Sequence, residues 1–97
     1  MVELNLEQRA VVRDILLEII PGRKVMVFGS RATGRSKPHS DLDLVVMGDT
    51  PLPLRTMRQL KDAFDESRFP YQVDLVDWAT TSEEFRKVIL ATAVDLD

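Results

Sequence analysis

Two pairs of residues in the first half of this 97-residue chain have the types and spacing of a phosphate and metal site. Gly29-Ser30 closes one apolar run, and Asp41 and Asp43 open the next, with ten residues between the two pairs. Glycine lets backbone approach a phosphate closely, and Ser30 can donate from its hydroxyl and its N–H. Alternate side chains of a strand share a face, so Asp41 and Asp43 are expected to point the same way and to suit Mg²⁺.

The segment between the two pairs is basic. Arg31, Arg35 and Lys37 precede the aspartates with no acid among them, and a helix beginning just after Ser30 would add its dipole and free N–H groups. These cations could meet a triphosphate, and the alternative for each is a solvated basic loop. His39 could contact a substrate, although a single loop histidine is more often solvated.

This pattern of Gly-Ser, a spacer and Asp-x-Asp resembles the signature of the nucleotidyltransferase superfamily. The ten-residue spacer resembles its minimal (MNT) branch, and the run 73–82 is similar to the ending of small stand-alone members. The resemblance covers most of the chain. It implies a polymerase-β-like fold, use of Mg²⁺ with two ions, and transfer of a nucleoside monophosphate, with AMP from ATP as the expected case.

Such transfer generally needs a third acid, which can hold an ion and accept a proton. Asp74 lies inside an apolar run, where an unpaired carboxylate would be costly, and the alternative is a solvent-facing residue on a half-exposed strand. Asp77 is expected to be structural, and Trp78 to pack in the core or against a partner. By matching position, the resemblance implies that the triphosphate is bound by Gly29 and Ser30, less firmly by Arg31 and Arg35, and the metals by Asp41, Asp43 and Asp74.

Periodicity predicts the order α-β-(turn)-β-α-β-α and a small α/β or α+β domain on a mixed sheet, with residues 1–97 as one minimal domain. A capping box of Asn5 and Gln8 opens the first helix, which stops at Pro21-Gly22. Strands are predicted at 24–28, 41–47 and 71–77, and a second long helix at 54–67. A capping box of Thr81 and Glu84 is predicted to open the last helix, whose apolar stripe comprises Phe85, Val88, Ile89 and Thr92.

Composition narrows the classes of function. The net charge of −3 argues against general nucleic-acid binding, and the absence of cysteine excludes disulfides and thiolate chemistry. One histidine excludes a His-rich zinc site. With no apolar run of transmembrane length and no signal-peptide pattern, we expect a cytoplasmic location and no membrane contact.

Four functions remain open. The first follows from the resemblance: larger relatives carry an acceptor-binding domain, which we do not expect in this chain, so a hetero-oligomer with an all-helical HEPN-type partner is implied. Such a partner is often a toxin ribonuclease, and some MNT proteins act as antitoxins by adding AMP to it. The second function is the catalytic subunit of a small-molecule, aminoglycoside-like nucleotidyltransferase. The third is a non-catalytic module that neutralises its partner by contact, which the three acids disfavour. A nucleic-acid polymerase comes last.

Overall fold

A four-stranded mixed sheet forms the centre of the computed structural model, which describes residue 2, residues 4–35, residue 37 and residues 40–96. The strands are β1 (Val25–Phe28), β2 (Leu42–Val46), β3 (Val73–Asp77) and β4 (Val94–Asp95), in the order β3-β2-β1-β4. β1 is antiparallel to β2 and to β4, whereas β2 is parallel to β3. The predicted mixed sheet is confirmed. β4 was not predicted, because two residues are too few to show a strand pattern.

Four α-helices accompany the sheet in the described part of the chain: α1 (Leu6–Ile19), α2 (Ser30–Thr33), α3 (Leu54–Glu66) and α4 (Glu83–Thr92). The capping box of α1 is confirmed, since the Gln8 N–H donates to Asn5 Oδ1 at 2.7 Å and the Asn5 N–H donates to Gln8 Oε1 at 3.1 Å. α2 begins at Ser30 itself, close to the predicted position.

The predicted cap of α4 is wrong by one residue. A 3-10 turn, Trp78–Thr80, follows β3, and the Thr81 hydroxyl donates to the Asp77 carbonyl at 2.7 Å. Ser82 therefore caps the helix, accepting from the Phe85 N–H at 3.2 Å. The sequence pattern missed this turn because a short 3-10 segment has no hydrophobic period of its own.

The two faces of the sheet carry different layers. Leu42, Leu44 and Val46 belong to the core beneath α1 and α3, whereas Val45 packs with Ile89 of α4 on the other face. The alternation predicted for β2 is confirmed.

The predicted apolar stripe of α4 is only partly buried. Ile89 is fully buried, but Phe85 is 40% and Val88 57% exposed. The buried side of the helix runs through Ile89 and Ala93 and is rotated away from Val88. No helix among the described residues has the length and apolar composition that a membrane crossing requires.

Candidate active site

Three strand ends meet at one edge of the sheet and bring the predicted site residues together. β1 runs into Gly29, and because β2 returns antiparallel to it, Phe28 lies opposite Asp43. β3 is parallel to β2, and Asp74 lies opposite Asp43 on the other side. The order of the strands thus places Gly29, Asp43 and Asp74 around one point.

Gly29 is in direct contact with Asp43. Its φ is +78°, a conformation that side chains with a Cβ rarely adopt, and a Cβ built at this position would overlap Asp43 Oδ2. The Gly29 N–H donates to the Thr92 hydroxyl of α4 at 2.9 Å. The glycine therefore allows the carboxylate to lie against the turn that joins β1 to α2.

Asp43 is the most perturbed acid of the site. Its pKa is raised from 3.8 to about 6, first by burial, then by the negative charges of Asp74 and Asp41, and finally by a hydrogen bond to Asp74. The carboxyl groups of Asp43 and Asp74 are thus close enough to share a proton. A pair of this kind holds negative charge that a cation would relieve.

The donor set fits a divalent ion through this pair. Mg²⁺ commonly takes one or two carboxylates and completes its shell with phosphate oxygens and water, and Asp43 and Asp74 supply hard oxygen donors of that kind. Within the described residues, no group of three carboxylate or imidazole side chains is arranged to hold an ion. Asp41 is exposed, and it acts on Asp43 through its charge.

The remaining acids of β3 differ in their surroundings. Asp74 is half-buried, and Gln72 Nε2 donates to its Oδ1 at 3.5 Å. Asp77 is buried and accepts from the Leu52 N–H at 2.8 Å and from the Ala79 N–H at 3.2 Å. The structural role predicted for Asp77 is confirmed, because both of its carboxylate oxygens hold backbone groups.

The predicted nucleotide-binding residues occupy different environments. Ser30 opens α2 and is half-buried, and Arg35 is exposed. Arg31 is 4% exposed, and its guanidinium contacts the Ser40 and Lys37 carbonyls and the Tyr71 ring. A contact from Arg31 to the nucleotide stays a prediction. His39 lies outside the described residues.

Sequence reasoning did not predict that two residues, Thr92 and Tyr71, contact residues of the site. Thr92 fixes the Gly29 N–H, and its polar side chain within the predicted apolar stripe of α4 was the available signal. Tyr71 lies under the Arg31 guanidinium, with 3.5 Å between the guanidinium carbon and the ring centroid. Its position before an acid-bearing strand gave no comparable signal.

A groove of about 1180 Å³ lies between α3 and β3 and reaches the site at Asp74. Leu54, Met57 and Leu75 contribute apolar surface to its walls, and Arg58 and Lys61 contribute positive charge. The groove lies on the face of the sheet that α3 covers, and Asp74 is the acid of the candidate site that belongs to its lining.

Comparison with known proteins identifies relatives of the chain. Residues 16–96 match the family model described as polymerase beta, nucleotidyltransferase. The chain is also 46% identical, over 87 residues, to a protein of Haemophilus influenzae named probable protein adenylyltransferase MntA, covering 90% of this chain and 76% of that protein.

Solved structures share the fold. A toxin–antitoxin crystal structure with AMP-PNP superposes with a TM-score of 0.76 at 22% identity, over 92% of this chain and 72% of that one. The second is a tri-AMPylated Shewanella oneidensis HEPN toxin in complex with its MNT antitoxin. It gives a TM-score of 0.71 at 20% identity, over 94% of this chain and 70% of that one.

Proposed function

This chain belongs to the polymerase β nucleotidyltransferase family, and we propose that it transfers AMP from ATP to a hydroxyl group of a helical, HEPN-type partner protein. The observation that carries the proposal is the acid pair Asp43 and Asp74 beside Gly29 and Ser30, at the position expected for the reacting phosphate. The name of the Haemophilus influenzae relative supports a protein as the acceptor, and the AMP-PNP complex supports ATP as the donor.

The proposed site divides into a phosphate side and an acid side. The Ser30 hydroxyl and the first N–H groups of α2 hold the triphosphate, and Arg35 contributes charge from the exposed loop. Asp43 and Asp74 would hold Mg²⁺ together with the triphosphate, and Asp41 would join them as the third carboxylate, with two ions in the loaded site. Bound ions would neutralise charge on the triphosphate and help to orient its α-phosphorus.

The chain's own residues then account for the transfer. The acceptor hydroxyl attacks the α-phosphorus, a new oxygen–phosphorus bond forms, and the bond from the α-phosphorus to the bridging oxygen breaks. Pyrophosphate leaves, and the carboxylate of Asp74 accepts the hydroxyl proton. We propose that part of the acceptor lies in the groove between α3 and β3, with Asp74 as the residue common to the groove lining and the acid pair.

The surface of α4 supports a hetero-oligomer. Phe85, Val88 and Leu90 are 40%, 57% and 60% exposed, and Phe85 and Val88, which are one turn apart, form an apolar surface that favours a protein contact. We propose that the partner covers this helix and that the complex acts as a toxin–antitoxin pair in the cytoplasm.

The decisive experiment uses ATP labelled at either the α- or the γ-phosphate. The purified chain, Mg²⁺ and the helical protein encoded by the adjacent gene are incubated together, and label on each protein is measured. We expect transfer of the α-label only, and loss of transfer in EDTA. Labelling from the γ-phosphate would indicate phosphorylation instead, and stable binding without any label would favour a non-catalytic module.

A further inference from the structure

The side chain of Arg31 joins the two halves of the candidate site. Arg31 directly follows Ser30, and its Nε donates to the carbonyl of Ser40, which directly precedes Asp41, at 2.9 Å. We propose that Arg31 and Tyr71 form a clamp that positions Asp41 for the transfer reaction. The inference rests on the function proposed above, because it concerns the same site.

The burial of Arg31 shows that the contact is built into the fold. The residue is 4% exposed, and a buried guanidinium is costly unless its donors are satisfied. Besides the bond to Ser40, its Nη2 donates to the Lys37 carbonyl at 3.5 Å. Arginine suits this place because a planar fork can reach two carbonyls and still stack on a ring, which a lysine ammonium cannot do.

Tyr71 forms the other side of the clamp. The guanidinium carbon of Arg31 lies 3.5 Å from the Tyr71 ring centroid, well within the range of a cation–π contact. The ring is held in turn by Gln8 Nε2, which contacts the Tyr71 hydroxyl oxygen at 3.2 Å, and by the edge of Phe69, with 5.6 Å between ring centroids. The position of Tyr71 is therefore fixed by α1 and by the segment before β3.

The segment that Arg31 contacts also has its own bonds. The Lys37 N–H donates to Ser40 Oγ at 2.8 Å, and the Ser40 N–H donates to the Lys37 carbonyl at 3.0 Å. Arg31 therefore binds the carbonyls of two residues that are already bonded to each other. Asp41 follows at once and is exposed, so the backbone on its two sides restrains it. Ser40 before it is held through Arg31, and Leu42 after it is held through the bond of its N–H to the Gln72 carbonyl at 2.9 Å.

The clamp predicts a specific kinetic pattern. Misplacement of a reacting group by about 1 Å can cost 10²-fold in rate, so Arg31→Met and Tyr71→Leu should each lower kcat by roughly that factor while KM for ATP changes little. The double variant should be no worse than the worse single one, because both changes break one contact. Arg31→Lys should fail like Arg31→Met, and Tyr71→Phe, which keeps the ring, should lose less than Tyr71→Leu.

Two measurements without catalysis separate this proposal from the proposed function. Limited trypsin digestion reports cleavage after the exposed Arg35, which should become faster in Arg31→Met and Tyr71→Leu but not in the matched control Arg55→Met on α3. The Kd for MgATP, measured by calorimetry, should change by the same factor in Arg31→Met and in Tyr71→Leu. Circular dichroism confirms folding, and if Arg31→Met does not fold, the two Tyr71 variants carry the test.

Several results would overturn the clamp. Normal kcat and normal cleavage in Tyr71→Leu would show that the ring contact positions nothing. A loss of MgATP affinity confined to the Arg31 variants, with full recovery in Arg31→Lys, would make Arg31 a direct ligand of the triphosphate. If the unmodified protein transfers no label to any acceptor, the proposed function fails, and the digestion and binding results still decide the clamp.

Discussion

Asp43 and Asp74 lie opposite each other on two parallel strands, and their carboxyl groups share a hydrogen bond. Burial first, and then the negative charges of Asp74 and Asp41, oppose ionisation of Asp43 and raise its pKa to about 6. The folded protein maintains this unfavourable pair against its own stability. A site for a cation and a source of instability are therefore the same feature.

The first prediction concerns the pH dependence of stability. Because the pKa of Asp43 is about 6 in the folded protein and 3.8 in an unperturbed aspartate, the folded state binds more protons between these pH values. Stability from this group is therefore lost as pH rises through that window. Asp43→Asn should melt at a higher temperature than the unmodified protein at pH 7.5, and the difference should vanish below about pH 4. The exposed Asp49→Asn serves as control, and a difference independent of pH would contradict the prediction.

The second prediction tests the contact between Gly29 and Asp43. Gly29→Ala should abolish AMP transfer and destabilise the protein, because the new methyl group displaces the Asp43 carboxylate as well as straining the backbone. Gly22→Ala is a matched control, since its φ of +84° is similar and a Cβ there meets nothing within 4 Å. We expect about 1–2 kcal/mol for the control, from backbone strain alone, and more for Gly29→Ala. Equal losses in urea unfolding would show that the overlap is relieved at no cost.

The third prediction separates the two acids of β3. Asp74→Asn should eliminate transfer and weaken Mg²⁺-dependent ATP binding, while the melting temperature stays equal to or above that of the unmodified protein, because a repulsive charge is removed. Near-normal transfer by this variant would exclude Asp74 as the third ligand. Labelled-ATP transfer and calorimetry are the measurements.

The fourth prediction concerns Asp77. Asp77→Asn should destabilise the fold by about 1–3 kcal/mol, because an amide cannot accept from both the Leu52 and Ala79 N–H groups. If Asp77→Asn still folds, it should retain the MgATP affinity of the unmodified protein. An unchanged melting temperature together with lost transfer would instead place Asp77 in the reaction.

The fifth prediction examines the bond from α4 to the site. Thr92→Val removes the acceptor of the Gly29 N–H and should cost about 1 kcal/mol, with a larger relative loss of transfer. Thr92→Ser keeps the hydroxyl and should recover most of both. If serine and valine behave alike, the methyl packing of Thr92 matters and its hydrogen bond does not.

Local sequence patterns predicted several features of the secondary structure. Alternation correctly predicted the faces of β2, and the capping box of α1 was correct because its signal is local. The common direction of Asp41 and Asp43 stays a prediction, because β2 begins at Leu42. The cap of α4 was shifted by one residue because a tertiary demand, the bond of Thr81 to Asp77, overrode a local preference.

The features that were missed depend on contacts between distant parts of the chain. Arg31 has the same sequence signal as the exposed Arg35, and only the packing of Tyr71 and the carbonyl of Ser40 distinguishes them. The pairing of β4 with β1 likewise joins residues about 68 positions apart. Hydrophobic periodicity within a short stretch of sequence does not detect such a pairing. Local order was predictable, and the partners of individual polar groups were not.

The bond between Gly29 and Thr92 joins residues 63 positions apart, and β4 closes the free edge of β1 only after α4 is complete. Ribosomes deliver a chain from its N-terminus, so the glycine turn and all three aspartates are synthesised well before their last support. The timing of synthesis thus limits when the enzyme becomes competent. A prematurely terminated chain that lacks α4 and β4 should therefore have a less ordered Gly29 turn than the full chain, because the Gly29 N–H and the edge of β1 lose their partners.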